Sequence, residues 1–157
     1  MSLAAILADL ATIVATVSNT GNVYTRRRFD LEPDLLDTAY SVADATYARG
    51  YKIQMTMIDR ESSFGQYYTQ QEYQIDHTII LTVMHEAYDA LDTRTTFRGV
   101  VETLSNELRK TTETDEILLL TWQGVRRDVE ATLESVGLPV HIAEIVVIAR
   151  EHDLIAT

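Results

Sequence analysis

The sequence predicts an α+β fold, namely a mostly antiparallel sheet with a long projecting β-hairpin, flanked by amphipathic helices. Three observations lead to this class. Apolar and polar residues alternate across residues 51–83, other segments repeat apolar residues at helical spacing, and residues 140–150 are densely apolar. The chain has 157 residues, of which 46% are hydrophobic, so residues 1–157 suit a single domain with its own core.

The predicted hairpin occupies residues 51–83. A period of two places the apolar residues of each strand on one face of the sheet, and it puts His77 on the apolar face of the second strand. Residues 59–68, between the strands, are polar and too numerous for a two-residue turn, so we expect an arm or loop that projects from the body. The alternating apolar residues are Tyr51, Ile53, Met55 and Met57 in the first strand and Tyr73, Ile75, Ile79, Leu81 and Val83 in the second.

The chain begins with the pattern of an amphipathic helix over residues 3–17. Gly21 suits a left-handed turn after this helix, and residues 23–25 are typical of an extended segment. We therefore expect the helix to pack on the sheet through one apolar stripe. The stripe consists of Leu3, Ile6, Leu7, Leu10, Ile13, Val14 and Val17.

Two further helices are predicted, over residues 33–48 and 93–110. Pro33 suits the first turn of one and Gly50 closes it, whereas Thr93 is the candidate N-cap of the other. Each has an apolar face. The expected buried residues are Leu35, Leu36, Ala39, Tyr40, Ala43 and Tyr47 in one helix and Phe97, Val100, Val101, Leu104 and Leu108 in the other.

The segment at residues 111–139 combines patterns typical of strands with patterns typical of helices. Residues 117–122 fit either a buried strand or one helical turn. Val125, Val129, Leu133 and Val136 are three or four residues apart, which favours a short helix that ends at Gly137 and Pro139. Residues 140–150 carry apolar side chains on both faces, which predicts a central strand covered on both sides.

Composition argues against several classes of protein. The net charge of −11 and the pI near 4.6 disfavour free nucleic-acid binding, which needs clustered Lys and Arg. The one dense basic run, Arg26, Arg27 and Arg28, fits a salt-bridged loop or a partner-binding patch. The absence of cysteine removes disulfides and thiolate metal sites, and no apolar run reaches the roughly 20 residues of a membrane helix. The start lacks the basic region of a secretory signal. The absence of cysteine fits assembly in a reducing compartment.

No catalytic signature is recognisable, so we expect no catalytic residue, no metal and no cofactor. His85 and Glu86 begin like a zinc-protease motif, but Asp89 stands where the second histidine is needed and the segment has a strand pattern. The carboxylates of Glu113, Asp115 and Glu116 fit a solvated turn better than an acid–base pair. We expect satisfied sheet residues at His77 and His141, core at Met55 and Met57, and hairpin surface at Tyr67 and Tyr68.

Four segments together resemble the tail-terminator (tail-completion, neck) proteins of long-tailed bacteriophages. They are the N-terminal helix with the Val-Tyr-x-x-Arg-Arg-like segment at residues 23–28, the strand at residues 51–58, the strand and helix across residues 67–110, and the closing strand at residues 140–151. The closing strand has the form x-His-x-Ala-Glu-Ile-x-Val-x-x-x-Glu. The resemblance covers most of the chain in the order of its elements.

The resemblance implies a structural virion protein of the tail and neck, assembled in the host cytoplasm. Such proteins form a six-membered ring that caps the tail tube, stops its polymerisation and joins the tail to the head connector, while DNA passes through the channel. Arg26, Arg27 and Arg28 would then make partner or intersubunit salt bridges, and Glu113, Asp115 and Glu116 would line an acidic lumen. The candidate subunit or tail contacts are Asp59, Arg60, Glu61, Ser62, Ser63, Phe64, Gly65, Gln66 and Tyr67.

Three alternatives remain open on the sequence. The chain could be a neighbouring neck component, such as a head-closure or connector subunit. It could be a soluble assembly adaptor or chaperone of similar shape. It could also be a small hydrolase that uses an unrecognised carboxylate pair. Genes for the tail-tube and connector proteins beside this gene would favour the neck assignments over the other two.

Overall fold

The computed structural model describes residues 3–25, 41–47, 49–88, 91–133 and 138–154, and these residues form an α+β fold as predicted. Two helices and six strands are present in this part of the chain. Neither helix is long and apolar enough to cross a membrane. In chain order the elements are α1 (Leu3–Ala15), β1 (Asn22–Tyr24), β2 (Ser41–Ala43), β3 (Tyr51–Tyr67), β4 (Glu72–Glu86), α2 (Thr93–Lys110), β5 (Leu119–Leu133) and β6 (Leu138–Leu154).

The strands form one mostly antiparallel sheet in the order β1-β3-β4-β6-β5. Only β1 runs parallel to its neighbour, and the short strand β2 pairs with the same edge of β3, next to β1. The strand β6 pairs with β4 from Glu72↔Leu154 to Glu86↔Val140, and β5 lies on its other side. The predicted central position of the last strand is therefore confirmed.

The main core lies between one face of the sheet and both helices. Ile58, Leu81 and Ile145 come from three neighbouring strands, share this face and are fully buried in one cluster with residues of both helices. Full burial of an aliphatic side chain of this size stabilises the fold by about 1.5–3 kcal/mol. A smaller cluster on the opposite face consists of Ile53, Met55, Met84 and Val140.

The first helix and the turn after it agree with the prediction. The residues Ile6, Leu7, Leu10, Val14 and Val17 are buried, whereas Leu3 and Ile13 are partly buried at the edge of the core. The chain then turns through Gly21, whose φ is +69°, into β1. A Cβ at Gly21 would lie 2.3 Å from the carbonyl oxygen of Gln54, so both the backbone angle and the space require glycine.

The helix α2 confirms the predicted bounds and all five predicted core residues. Its N-cap is Asp92, which has a left-handed conformation and makes no capping hydrogen bond with its side chain. The prediction that Thr93 is the N-cap is therefore wrong. The Thr93 hydroxyl instead accepts from the backbone N–H of Tyr88 at 2.8 Å and lies 3.2 Å from Nε2 of His141.

The helix predicted over residues 33–48 is wrong where it can be compared. Residues 33–40 lie outside the described part, residues 41–43 form β2, and a turn follows. The Asp44 carboxylate accepts from the backbone N–H of Thr46 at 3.0 Å, and Gly50 supplies a φ of +80°. These residues favour a tight turn over a helix, because they satisfy the backbone locally. Tyr47 is buried as predicted, but it lies in this turn.

The short helix predicted from Val125, Val129, Leu133 and Val136 is also wrong, because residues 119–133 form β5. The register of β5 against β6 shifts twice, between Trp122 and Gly124 and between Val125 and Arg127. Each shift interrupts the period of two, so the apolar spacing imitates a helix. Val136 and Gly137 lie outside the described residues. The strand alternative for residues 117–122 is the correct one from Leu119 onward.

The side chains on the two faces of β6 are buried to different extents. Ile145 and Val147 alternate with Glu144, Val146 and Ile148, and only the first set is fully buried under the helices. Both described helices lie on that face. The prediction of cover on both sides is therefore wrong for most of the strand in the described part, because the opposite face of β6 is half-buried from Ile142 to Arg150 and fully buried only at Val140.

Candidate functional site

The arm extends further as paired strand than the sequence predicts. The structure places residues 59–67 in β3, and only residues 68–71 connect β3 to β4. Of the arm or loop predicted at residues 59–68, the structure therefore has an arm of paired strands, and the long polar turn between the strands is wrong. Residues 60–67 are mostly exposed, so their side chains can be polar while their backbone pairs with β4. We call residues 60–78 the arm.

The arm is not a free hairpin, because β6 pairs with β4 as far as Glu72↔Leu154. Only its outer strand, residues 60–67, lies at the edge of the described sheet. A β-bulge between Arg60 and Ser62 marks the base of this outer strand. A bulge increases the local twist, so it turns the end of the arm relative to the rest of the sheet.

Gly65 and Tyr73 fix the end of the arm. The Tyr73 ring lies across Gly65, and a Cβ at Gly65 would be only 1.7 Å from the Tyr73 hydroxyl oxygen. The Tyr73 ring also packs on Tyr67, with 4.5 Å between ring centroids. A glycine in a strand therefore gives an aromatic residue room to cover the backbone of its neighbour.

Three exposed aromatic residues lie at this end of the arm. Phe64 is 68% exposed, Tyr67 69% and Tyr68 55%. Phe64 pairs with Asp76 and Tyr67 with Tyr73, so the two side chains lie on opposite faces of the arm. We call these three residues the aromatic tip. Exposed aromatic side chains in a group are typical of surfaces that another protein covers.

Two side-chain contacts lie at the base of the arm, one on each face. The Arg150 guanidinium donates to both carboxylate oxygens of Asp76, at 2.9 and 3.2 Å, and these bonds lower the pKa of Asp76. On the helix side, Nε2 of His77 lies 3.5 Å from Oε1 of Glu151, and both residues are buried. Neither ring nitrogen of His77 has a hydrogen-bond partner among the described residues, so the prediction of a satisfied histidine is wrong here.

A groove of about 340 Å³ lies between α2 and β5. We call it the α2–β5 groove. The guanidinium of Arg109 stacks over the ring of Trp122, 3.8 Å from its centroid. The Ser105 hydroxyl and Trp122 Nε1 are both buried, and neither has a hydrogen-bond partner within the described part of the chain. The residues that line the groove are Arg98, Val101, Glu102, Ser105, Asn106, Arg109, Trp122, Val125 and Asp128.

The residues of the incomplete zinc motif support the end of β4. Nδ1 of His85 lies 2.8 Å from the carbonyl oxygen of Glu86, so this nitrogen carries the hydrogen, and burial lowers the pKa of His85. The Glu86 carboxylate accepts from the backbone N–H of Ile53 at 3.1 Å and pairs with Arg49. Asp89 lies outside the described residues. Within the ranges described, no three His, Cys, Asp or Glu side chains are grouped as a metal site requires.

His141 agrees with its prediction as a satisfied sheet residue. Its Nε2 lies 3.2 Å from the Thr93 hydroxyl and its Nδ1 lies 3.4 Å from Glu130. Its ring stacks on Phe97 at 5.3 Å. The side chain therefore joins the start of α2 to the central strand. The predictions for Met55, Met57, Tyr67 and Tyr68 also hold, because the methionines pack in the smaller core cluster and the tyrosines are exposed.

The candidate acidic residues lie in the loop between α2 and β5. Glu113 and Asp115 are exposed and Glu116 is half-buried. The Asp9 carboxylate of α1 accepts from the backbone N–H of Glu116 at 3.1 Å, which fixes the loop beside the first helix. These residues thus form an acidic surface that is held in place. Arg26, Arg27 and Arg28 lie outside the described residues.

The sequence analysis missed two features that join distant residues. Arg126 donates to Glu61 at 2.7 Å and to Glu144 at 2.5 Å, which connects β5 to the base of the arm across the sheet. The α2–β5 groove combines Ser105 with Trp122. Neither feature has a local sequence signal, since the partners come together only when β6 lies between β4 and β5.

Comparison with known proteins yields no identification, since no protein-family model and no curated protein matches this sequence.

Proposed function

We propose that this protein is a structural component of a bacteriophage neck and acts as a tail terminator. In this role six copies form a ring that caps the tail tube, stops its polymerisation and joins the tail to the head connector while DNA passes through. The single observation that carries the proposal is the aromatic tip at the end of a long, paired arm.

The aromatic tip supports a function by contact. Phe64, Tyr67 and Tyr68 expose more than half of their surfaces, whereas aromatic residues of this size normally bury most of theirs. Burial of such residues against a partner is the commonest source of strong contacts between proteins. Strand pairing holds residues 62–67 of the arm in place, so docking would order few additional residues.

The charge of the chain supports a channel through which DNA moves. Six copies would carry 6 × (−11) = −66 formal charges. Carboxylates on the channel wall repel phosphates, but only close to the wall, because physiological salt screens charges over about 8 Å. The exposed Glu113 and Asp115 are the candidates for this wall. We place Arg26, Arg27 and Arg28 at a subunit or partner contact away from it.

The test removes the aromatic tip and leaves the fold unchanged. We expect the triple variant Phe64→Ser, Tyr67→Ser, Tyr68→Ser to lose ring formation and tube capping at least tenfold, because a few buried aromatic anchors carry most of an interface. Rings are measured by negative-stain imaging and native mass, at six times the 17.7 kDa chain. Capping is measured by the length of tubes grown from a phage tail-tube protein in the presence of this chain.

Leu91→Ser is the matched control, because Leu91 is 42% exposed near the start of α2, at the opposite end of the sheet from the tip. It should keep both activities. Normal rings and normal capping by the triple variant would refute the proposal. A ring that binds the connector but leaves tubes uncapped would favour the head-closure alternative, and turnover of a hydrolysable substrate without any ring would favour the enzyme.

A further inference from the structure

We propose that the aromatic tip of one copy docks in the α2–β5 groove of the next copy, with Tyr68 as the anchor. The inference rests on the ring proposed above and identifies the contact that closes it. The groove and the tip are complementary in hydrogen bonding, size and charge.

The groove lacks the hydrogen bonds that a phenol can supply. Ser105 is 4% exposed and its hydroxyl is unpaired in the described structure, as is the Trp122 N–H on the other wall. Buried polar groups without partners are rare in folded proteins, so each of these two requires an explanation. A tyrosine hydroxyl both donates and accepts, so one phenol can satisfy both atoms.

One exposed side chain of α2 covers the Trp122 ring. The Arg109 guanidinium covers the Trp122 ring, and its Nη1 donates to Asn106 at 3.2 Å on the helix surface. When Arg109 turns toward solvent, the indole is open to an incoming ring. The guanidinium can then cover the docked ring from outside, because arginine stacks on tyrosine as it does on tryptophan.

The groove and the tip also agree in size and charge. A volume of about 340 Å³ accepts one aromatic side chain and its neighbours. Arg98 and Arg109 on the rim are balanced by Glu102 and Asp128. Residues 67–71, which include Tyr67 and Tyr68 of the tip, carry no charge, so docking leaves no charged group buried without a partner.

The tip cannot reach the groove of its own chain. Val125 of the groove pairs with Ile145, which pairs with Leu81 of β4. Tyr73, which pairs with Tyr67 of the tip, lies eight residues from Leu81 along β4, a distance of about 26 Å. The contact must therefore join two copies through different surfaces. A heterologous contact of this type makes a closed ring or an open filament.

Cross-linking tests the contact directly, because the chain contains no cysteine of its own. Gln70→Cys places a thiol at the tip and Asn106→Cys places one at the exposed rim of the groove. The two single-cysteine proteins are mixed and oxidised. We expect tip–groove disulfides to exceed tip–tip and groove–groove disulfides at least tenfold, because docking raises the effective concentration of the two thiols. Tyr68→Ser in the tip protein should remove this preference.

Ala45→Cys is the matched control, since Ala45 is exposed in the turn between β2 and β3. It should cross-link to the tip no more than chance encounter allows. Equal yields for the groove and the control, at every protein concentration up to the solubility limit, would overturn the proposal. A predominance of tip–tip disulfides would also overturn it and would indicate a symmetric contact.

Trp122 gives a second measurement, because it is the only tryptophan in the chain. We expect its emission to change as protein concentration rises, and Tyr68→Ser should remove that change. The two proposals fail separately. Rings that cap tubes without tip–groove disulfides would support the terminator function and refute the docking contact. Tip–groove disulfides without capping would support the docking contact and refute the terminator function.

Discussion

His77 and Glu151 form a buried pair that is poorly satisfied. They approach to 3.5 Å under the helices, and neither ring nitrogen of His77 nor Oε2 of Glu151 has a hydrogen-bond partner among the described residues. Burial of both groups costs desolvation that a single long contact does not offset. The pair lies on the helix-facing side of the arm, where His77 pairs with Ser63 and Glu151 pairs with Ile75 across the strands. We infer that its residues favour one arrangement of the strands at the expense of stability.

We predict that the two residues are coupled in stability. His77→Leu alone leaves the Glu151 carboxylate buried without a partner and should lower the free energy of unfolding by about 3 kcal/mol. The double variant His77→Leu, Glu151→Met replaces the pair by apolar groups and should be at least as stable as the natural chain. Urea unfolding monitored by circular dichroism measures both. A double variant as unstable as the single one would contradict this explanation.

The buried His85 predicts a loss of stability in mild acid. Burial lowers the pKa of His85 from 6.5, so the unfolded chain binds this proton at a higher pH than the folded chain does. Its contribution is complete above about pH 6.5 and decreases, by at most about 1.4 kcal/mol per pH unit, as the pH falls toward the folded-state pKa. The neighbouring charged groups are Lys52, His141 and Glu86.

The measurement is the free energy of unfolding between pH 7.5 and 5 for the natural chain and for His85→Asn. Asparagine can donate to the same carbonyl but does not titrate. We expect the curve of the variant to be flatter below about pH 6.5. Parallel curves for the two proteins would mean that another group controls the acid response.

At the scale of elements, the sequence predicts what depends on regular periodicity. The bounds and buried face of α2 follow from one uninterrupted apolar stripe, and the hairpin follows from alternation in β3 and β4. The strand β5 was not predictable, because two bulges shift its alternation. The strand β2 was not predictable either, since its three residues are held by pairing with β3 and not by their own pattern.

Substitution by alanine should cost different amounts of stability at Gly21, which lies in a turn, and at Gly65, which lies in a strand. Gly21→Ala meets the backbone oxygen of Gln54 at 2.3 Å and requires a positive φ, so it should cost more than about 2 kcal/mol of stability. Gly65→Ala meets only the far end of the Tyr73 side chain, which can swing away, and should cost about 1 kcal/mol or less. Urea unfolding compares the two. Equal losses would show that the Tyr73 ring is fixed in place.

At the scale of the whole molecule, the sequence identifies the arm but not the groove in which we propose that it docks. The arm follows from two neighbouring strands and their connection, which are close in sequence. The α2–β5 groove brings together Ser105 and Trp122 on different elements, and its chemistry depends on which of their atoms lack partners. Such a site exists only in three dimensions, so no spacing of residues could indicate it.

The net charge of −11 also shapes how copies can meet. Two acidic chains repel at long range, although physiological salt limits this repulsion to about 8 Å. A contact made by the uncharged residues 67–71 adds little to that repulsion. The aromatic tip is therefore the part of the arm best suited to approach another copy.

The central position of β6 has a consequence for synthesis. The strands β4 and β5 do not pair with each other, and β6, which follows every other described element in the chain, fills the space between them. While a ribosome is still making the chain, the sheet is open along its middle and β5 has no neighbour to pair with. The groove wall beside Val125 forms only after β6 has emerged. If copies dock as proposed, unfinished chains on neighbouring ribosomes would present no complete groove to each other, and assembly would be confined to chains whose β6 has emerged.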